Sequence, residues 1–291
     1  MQDLLQQLLN GLSLGSIYAL IAVGYTMVYG IVQLINFAHG DVMMVGAYVA
    51  LGAALLGLGF VPSLVLAMIV CSLLGVVIER VAYRPVRPVS RLAALTSAIG
   101  VSLFLEYAVM FVLSPKVWTY PAILKERIFR VGGIVITSKD LLVLGTTLVL
   151  VVILQYIIYR TRIGKAMRAV SFDGTAAQLM GVNVNSTVGV TFAIGSAMAA
   201  AAGLLIGLYF NTVQPLMGLM PGLKAFIAAV LGGIGSVPGA MLGGILLGMT
   251  EALVSGFGGS MYRDAVAFGI LILILLIRPT GLLGKGIQEK A

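Results

Sequence analysis

Apolar residues run almost unbroken through nine stretches of this chain, near 5 to 33, 42 to 58, 62 to 79, 93 to 113, 141 to 159, 187 to 210, 222 to 234, 237 to 256 and 265 to 277. Most approach the roughly 20 residues that a helix needs to cross the hydrocarbon layer of a bilayer. The pattern predicts an all-α polytopic membrane protein, one transmembrane domain over 1–291, with eight to ten transmembrane or re-entrant helices. The run 222 to 234 is short and glycine-rich and reads as a half-helix or re-entrant segment, which a bilayer accepts only where protein covers the backbone. One interruption has a pattern of its own. Arg127 to Val131, then Gly132-Gly133, then Ile134 to Thr137 reads as two β-rich runs about a two-residue glycine turn, a small external hairpin near 127–137.

Composition removes the soluble alternatives. Of the 291 residues 60% are apolar and 10% charged, against about 45–50% and about 25% in ordinary soluble domains. The 18 Lys and Arg outnumber the 10 Asp and Glu, a net +8 that on a soluble domain would suggest nucleic acid. Here the cations sit in short clusters between apolar runs: Arg80, Arg84, Arg87 and Arg91; Arg160, Arg162, Lys165 and Arg168; Arg278, Lys285 and Lys290. Such clusters mark cytoplasmic loops. Placing 80 to 92, 160 to 186 and the carboxyl terminus inside leaves the amino terminus and 114 to 140 outside. The outer loop then carries Lys116, Lys125, Arg127, Arg130 and Lys139 against Glu126 and Asp140, more dilutely than the inner clusters. Cys71, the one cysteine, lies in an apolar run and builds neither a disulfide nor a thiolate metal site. Met1 to Leu5 carries no cation and no cleavage pattern follows, so the first apolar run reads as a retained helix.

Small residues recur at four-residue spacing: Gly235, Gly239 and Gly243; Ala240, Gly244 and Gly248; Gly195, Ala199, Gly203 and Gly207. In lipid such stripes let helix backbones approach closely. They predict tight packing inside the subunit, with sliding against a partner as the sharper alternative. Gly11-Leu12-Ser13-Leu14-Gly15 matches a hydrolase elbow in letters, but that elbow needs a strand, a turn and a helix, and these residues lie inside the first helix. The nearest approach to a phosphate-binding loop, Gly281 to Gly286, lacks its spacing and hydroxyl, so ATP-driven work must come from another chain.

Ionisable groups at membrane depth must face protein or water. Asn36, His39 and Asp41 either form a solvated inner loop or, if the second helix is broken there, approach the translocation path. Glu106 and Glu251, each within an apolar run, are stronger anomalies, with a structural hydrogen-bond role or pathway lining as the alternatives. Between 162 and 182, Ile163, Met167, Val170, Leu179, Met180 and Val182 are interspersed with charges, which suits two short helices docking one apolar face on a soluble partner, or else packing under the bundle.

In that segment, Thr175-Ala176-Ala177 followed by Gly181 resembles the E-A-A-x-x-x-G loop through which permeases of ATP-binding-cassette (ABC) importers contact their ATPases, with Thr175 in the Glu position and Asp173 the nearest acid. Gly15 to Leu20, Gly24 to Gly30, Ile35 to Gly40, Glu79 to Arg87, Lys224 to Phe226, Ala228 to Ala240 and Arg278 to Gly281 look like the branched-chain amino acid importer permeases, LivH type, over nearly the whole chain. The resemblance implies the ABC importer permease fold in a bacterial cytoplasmic membrane. It implies a second related permease as heterodimer partner, two cytoplasmic ATP-binding subunits, an external substrate-binding protein and an amino acid substrate. No cofactor or metal is then held by this chain, ATP being used by the partners. It places the ATPase contact at Arg168, Asp173, Thr175, Ala176, Ala177 and Gly181. The competing class is an ion-coupled secondary amino acid transporter, which short glycine-broken helices with buried acids also suit.

Overall fold

The computed structural model describes residues 2–34, 36–87, 89–123, 126–131 and 133–284. Lys125, Gly132, Lys285 and Lys290 lie outside the described residues. In chain order the elements are α1 (Gln2–Val32), α2 (His39–Leu55), α3 (Phe60–Ile78) continued by a wide π-type turn (Glu79–Tyr83), α4 (Arg91–Leu113), β1 (Trp118–Thr119), β2 (Ile128–Val131), β3 (Ile134–Thr137), α5 (Ser138–Arg160), α6 (Arg162–Phe172), α7 (Gly174–Leu179), α8 (Val184–Phe210), β4 (Thr212–Val213), α9 (Leu219–Gly232), α10 (Val237–Val254) and α11 (Arg263–Ile277).

Each of the nine apolar runs is a helix. Six stretches among the described residues are long and apolar enough to cross a membrane: α1, α3 with its turn, α4, α5, α8 and the run Val237–Ile277, which holds α10 and α11. The apolar helices α2 and α9 are shorter. Helix starts are set by polar caps: Ser90 accepts from the Ala93 amide, Ser236 from Gly239, and Thr137 and Asp140 form a reciprocal capping box at α5.

Helices α1 and α8 form the centre and are buried through most of their length. The outer helices α3, α4, α5 and α11 turn apolar side chains such as Leu73, Phe111, Ile153 and Leu276 outward, as lipid contact requires. The most extensive packing joins α1 to α10. A Cβ built on Gly11 would stand 2.6 Å from the Met249 Cα, and one on Gly15 2.8 Å from the Ile245 Cα. Gly244 and Gly248 meet the backbone at Ala19 and Gly15 in return, and Gly203 meets α2 at Met43. Most of the small-residue stripes are therefore internal packing surfaces. Gly235 is the exception: it has φ +91° in the α9–α10 turn and serves the turn, because the four-residue spacing that links it to Gly239 runs across a helix end.

The two ends of the bundle are distinguishable. At one end β2 and β3 pair antiparallel with Val131 opposite Ile134, as the glycine turn predicted, and Gly133 has φ +85°. Gln6 fixes this hairpin to α1, accepting from the Val135 amide at 2.8 Å and donating to its carbonyl at 3.0 Å. Pairing of β1 with β4 brings the end of α8 to the same level. At the other end Arg87 donates to Asn185 at 2.8 Å, joining the first cationic cluster to the start of α8, against which α6 and the second cluster pack. Arg278 enters the segment that packs under the α9–α10 turn, and that turn lies against Gly30 near the close of α1. The first two cationic clusters and Arg278 thus share one end, and the hairpin occupies the other.

Candidate coupling site and translocation path

The cationic end presents a two-helix projection. Thr161 caps α6, accepting from the Gly164 amide at 3.1 Å while donating to the Ile157 carbonyl at 2.6 Å. Gly164 is pressed against the carbonyls of Ile157 and Ile158, so the reversal between α5 and α6 leaves no room for a side chain. Arg168 donates to the Ile158 carbonyl and lies 5.6 Å from the Tyr159 ring centroid, which holds α6 under the end of α5. Asp173 closes α6 and caps α7, accepting from the Ala176 amide at 2.9 Å. Gly181 ends α7 in the left-handed region at φ +85°, where the Val182 amide returns to the Ala177 carbonyl.

Burial divides the apolar residues of this segment. Met167, Val170 and Ala177 face the bundle, while Phe172, Leu179 and Met180 are about 85% exposed. Thr175 and Ala176 are also exposed. A cleft of about 530 Å³, lined by Arg87, Gln178, Gly181 and Asn183 among others, opens beside them. The segment therefore has two faces: α6 packs inward under the bundle, and the end of α7 leaves an apolar tip exposed beside a polar cleft.

The second polar group lies inside the bundle. Asn36, His39 and Asp41 are all at or below 2% exposure, so the solvated inner loop is overturned. After α1 the chain turns at Gln33, with φ 55°, and re-enters, so that α2 begins with the His39 ring against Gly24 and 4.6 Å from the Tyr25 ring. Asn36 accepts from the Tyr83 hydroxyl at 2.9 Å. Asp41, in the first turn of α2 where the helix dipole favours an acid, accepts from Ser102 at 2.5 Å, with Glu106 close enough to interact. Its second oxygen has no hydrogen-bond partner among the described residues. Two acidic side chains, Asp41 on α2 and Glu106 on α4, are thus buried near the start of a short helix that no side chain caps.

Glu251 is placed elsewhere, bonded to Lys224 at 2.6 Å and to the Tyr18 hydroxyl at 3.0 Å. These bonds fit its structural alternative. Lys224, Tyr18, Ser102 and Tyr83 were not flagged as site residues by the sequence, although Lys224 is a single cation inside an apolar run and carries the same signal as Glu251. Ser13 donates to Asp140 at 3.0 Å and ties α1 to α5, with Gly11 and Gly15 as packing glycines.

Comparison with known proteins gives a consistent result. The family described as branched-chain amino acid transport system, permease component, matches residues 7–275. Among curated relatives, the high-affinity branched-chain amino acid transport system permease protein BraD of Pseudomonas aeruginosa is 48% identical, covering 98% of this chain and 97% of its own. The LivH permease proteins of Salmonella typhimurium and Escherichia coli, described in the same words, are 46% and 45% identical over the same shares.

Proposed function

The chain belongs to the permease components of branched-chain amino acid transport systems, and from that premise we propose that it is the membrane subunit of an ABC importer moving branched-chain amino acids inward across a bacterial cytoplasmic membrane. The observation that carries the reading is likeness to BraD over 98% of the chain at 48% identity. It favours an ATP-driven permease over an ion-coupled carrier. The subunit pairs with a second related permease, takes substrate from an external binding protein and is driven by two cytoplasmic ATP-binding subunits. Hydrolysis belongs to those subunits, and ATP is their ligand.

On this reading the exposed tip of α7, with Thr175, Ala176 and Gly181, enters the ATPase surface, and Leu179 and Met180 supply the apolar contact. Arg168, Asp173 and Ala177 hold the tip to the bundle, so that movement of the ATPases reaches α5 and α8. Asn36, His39, Asp41 and Glu106 border the path. A branched-chain substrate is a zwitterion with an aliphatic tail, and an amphipathic path suits it better than a tight polar pocket would.

The test is purification of the tagged chain from native membranes in mild detergent, with mass spectrometry and an ATPase assay. A second permease and two ATP-binding subunits are expected, and transport of leucine, isoleucine or valine on reconstitution. A lone chain at full yield, with ion-dependent uptake, would overturn the reading.

A further inference from the structure

Four charged side chains meet where α9, α10 and α11 converge. Lys224 Nζ lies 2.6 Å from Glu251 Oε1 and 2.7 Å from Asp264 Oδ1, and Arg263 Nε lies 3.6 Å from Glu251 and 3.8 Å from Asp264. The side chains of Lys224 and Glu251 are 4% and 3% exposed, those of Arg263 and Asp264 50% and 39%. The inner pair stands on α9 and α10 and the outer pair on α11, so each body is neutral by itself. Separating them leaves no bare charge in either, which removes the main cost of opening a buried ionic contact.

The rest of α11 is built to match. Ala267 is its only buried residue. Between α10 and α11 the helix is broken at Phe257 and at Gly258, the latter with φ +89°. On the other side of that break α10 is locked to α1 through Gly244 and Gly248 at backbone contact. A loosely packed helix therefore adjoins a rigid one through a glycine break, and Lys224 to Asp264 is the ion pair that reaches across at bonding distance.

We infer that α11 is a hinged element, latched to the bundle by Lys224 and Asp264, that swings about Phe257 and Gly258 during the transport cycle. On release Lys224 keeps Glu251, and Arg263 keeps Asp264. Substitution on the two sides of the outer pair then has opposite effects. Asp264→Asn removes the 2.7 Å tie and leaves across the boundary only the longer 3.6 Å approach of the half-exposed Arg263 to Glu251, so α11 is freed. Arg263→Gln leaves Asp264 without a partner of its own, so that release would strand a charge, and it holds α11 closed.

The experiment is a pulsed electron-spin distance measurement on the full chain in lipid nanodiscs, alone and assembled with co-purified ATP-binding subunits. The background is Cys71→Ser, with labels at Leu276→Cys on α11 and Leu73→Cys on α3, both exposed. Asp264→Asn is expected to move the distance by about 5 Å, the scale of a one-turn shift, with or without ATP. Asp264→Glu should retain the wild-type distance. In the assembled transporter, wild type should reach the released distance on changing nucleotide state, and Arg263→Gln should not. The nucleotide arm rests on the permease reading, whereas the Asp264→Asn arm does not. A shift in that variant with no ATP response in wild type would keep the latch and count against the permease reading. An unchanged distance in Asp264→Asn, or a shift in the same direction in Arg263→Gln, would overturn the latch.

Discussion

Tyr83 donates its hydroxyl to Asn36 across 2.9 Å, joining the turn after α3 to the re-entering chain that leads into α2, 47 residues away in sequence. Both residues are at or below 2% exposure, so the bond has no water to replace it. Tyr83→Phe should therefore leave the Asn36 carbonyl oxygen unpaired, at a cost of about 1–3 kcal/mol. The expected result is a lower melting temperature in detergent with normal membrane insertion, and an unchanged melting temperature would show that α2 does not depend on this tie.

Lys224 and Glu251 should behave as a pair. Removing either alone, as Lys224→Met or Glu251→Leu, breaks the 2.6 Å pair and leaves Lys224 only Asp264, or Glu251 only Tyr18 and the more distant Arg263, a loss of up to about 3–5 kcal/mol. The double variant Lys224→Met with Glu251→Leu should recover much of that loss. A double-mutant cycle on thermal unfolding measures the coupling, and additive losses would mean that the two charges act separately.

The α1–α10 contact predicts a size limit. Gly15→Leu or Gly248→Val must push the helices apart at backbone contact, a cost at or above the about 1–3 kcal/mol of ordinary overpacking. Accumulation in the membrane should fall sharply. Gly100→Ala, where nothing stands within 4 Å of the added carbon, should be neutral in the same assay.

At the cationic end two substitutions separate conformation from contact. Gly181→Val places a β-branched residue at φ +85° and should cost at least about 1–2 kcal/mol, whereas Gly181→Asn should cost less. Leu179→Glu with Met180→Glu changes only exposed side chains, so the chain should reach the membrane in normal amount while ATPase association and coupled transport are lost. Normal coupling in that double variant would remove α7 from the ATPase contact.

The helices were legible because a bilayer writes them as long apolar runs, and every helix end came within three residues of its expectation. The hairpin was legible for the same local reason, a glycine pair between β-branched residues. The start of α2 was not. Asn36 to Asp41 is polar in sequence whether it is bathed by water or folded back against Gly24 and Tyr83, and only the long-range partners decide. Glu251 was visible as an anomaly, but its partner stands on a different helix, and the turn through Gly233 and Gly235 that sets α9 beside α10 left no periodic trace. Met167 and Leu179 look alike in sequence, but the tight reversal at Gly164 folds α6 and Met167 under the bundle, whereas Leu179, at the end of α7, is exposed.

The amides of Leu282 and Leu283 donate to the carbonyls of Leu231 and Gly232, at 2.9 Å each, and so close the last turn of α9. The donors are made some fifty residues after the acceptors. Until Leu282 and Leu283 are made, those two carbonyls lack these donors. Among the described residues these bonds form only once the chain beyond α11 has been made, so a chain ending before Leu282 would leave the α9–α10 turn without its backbone seal.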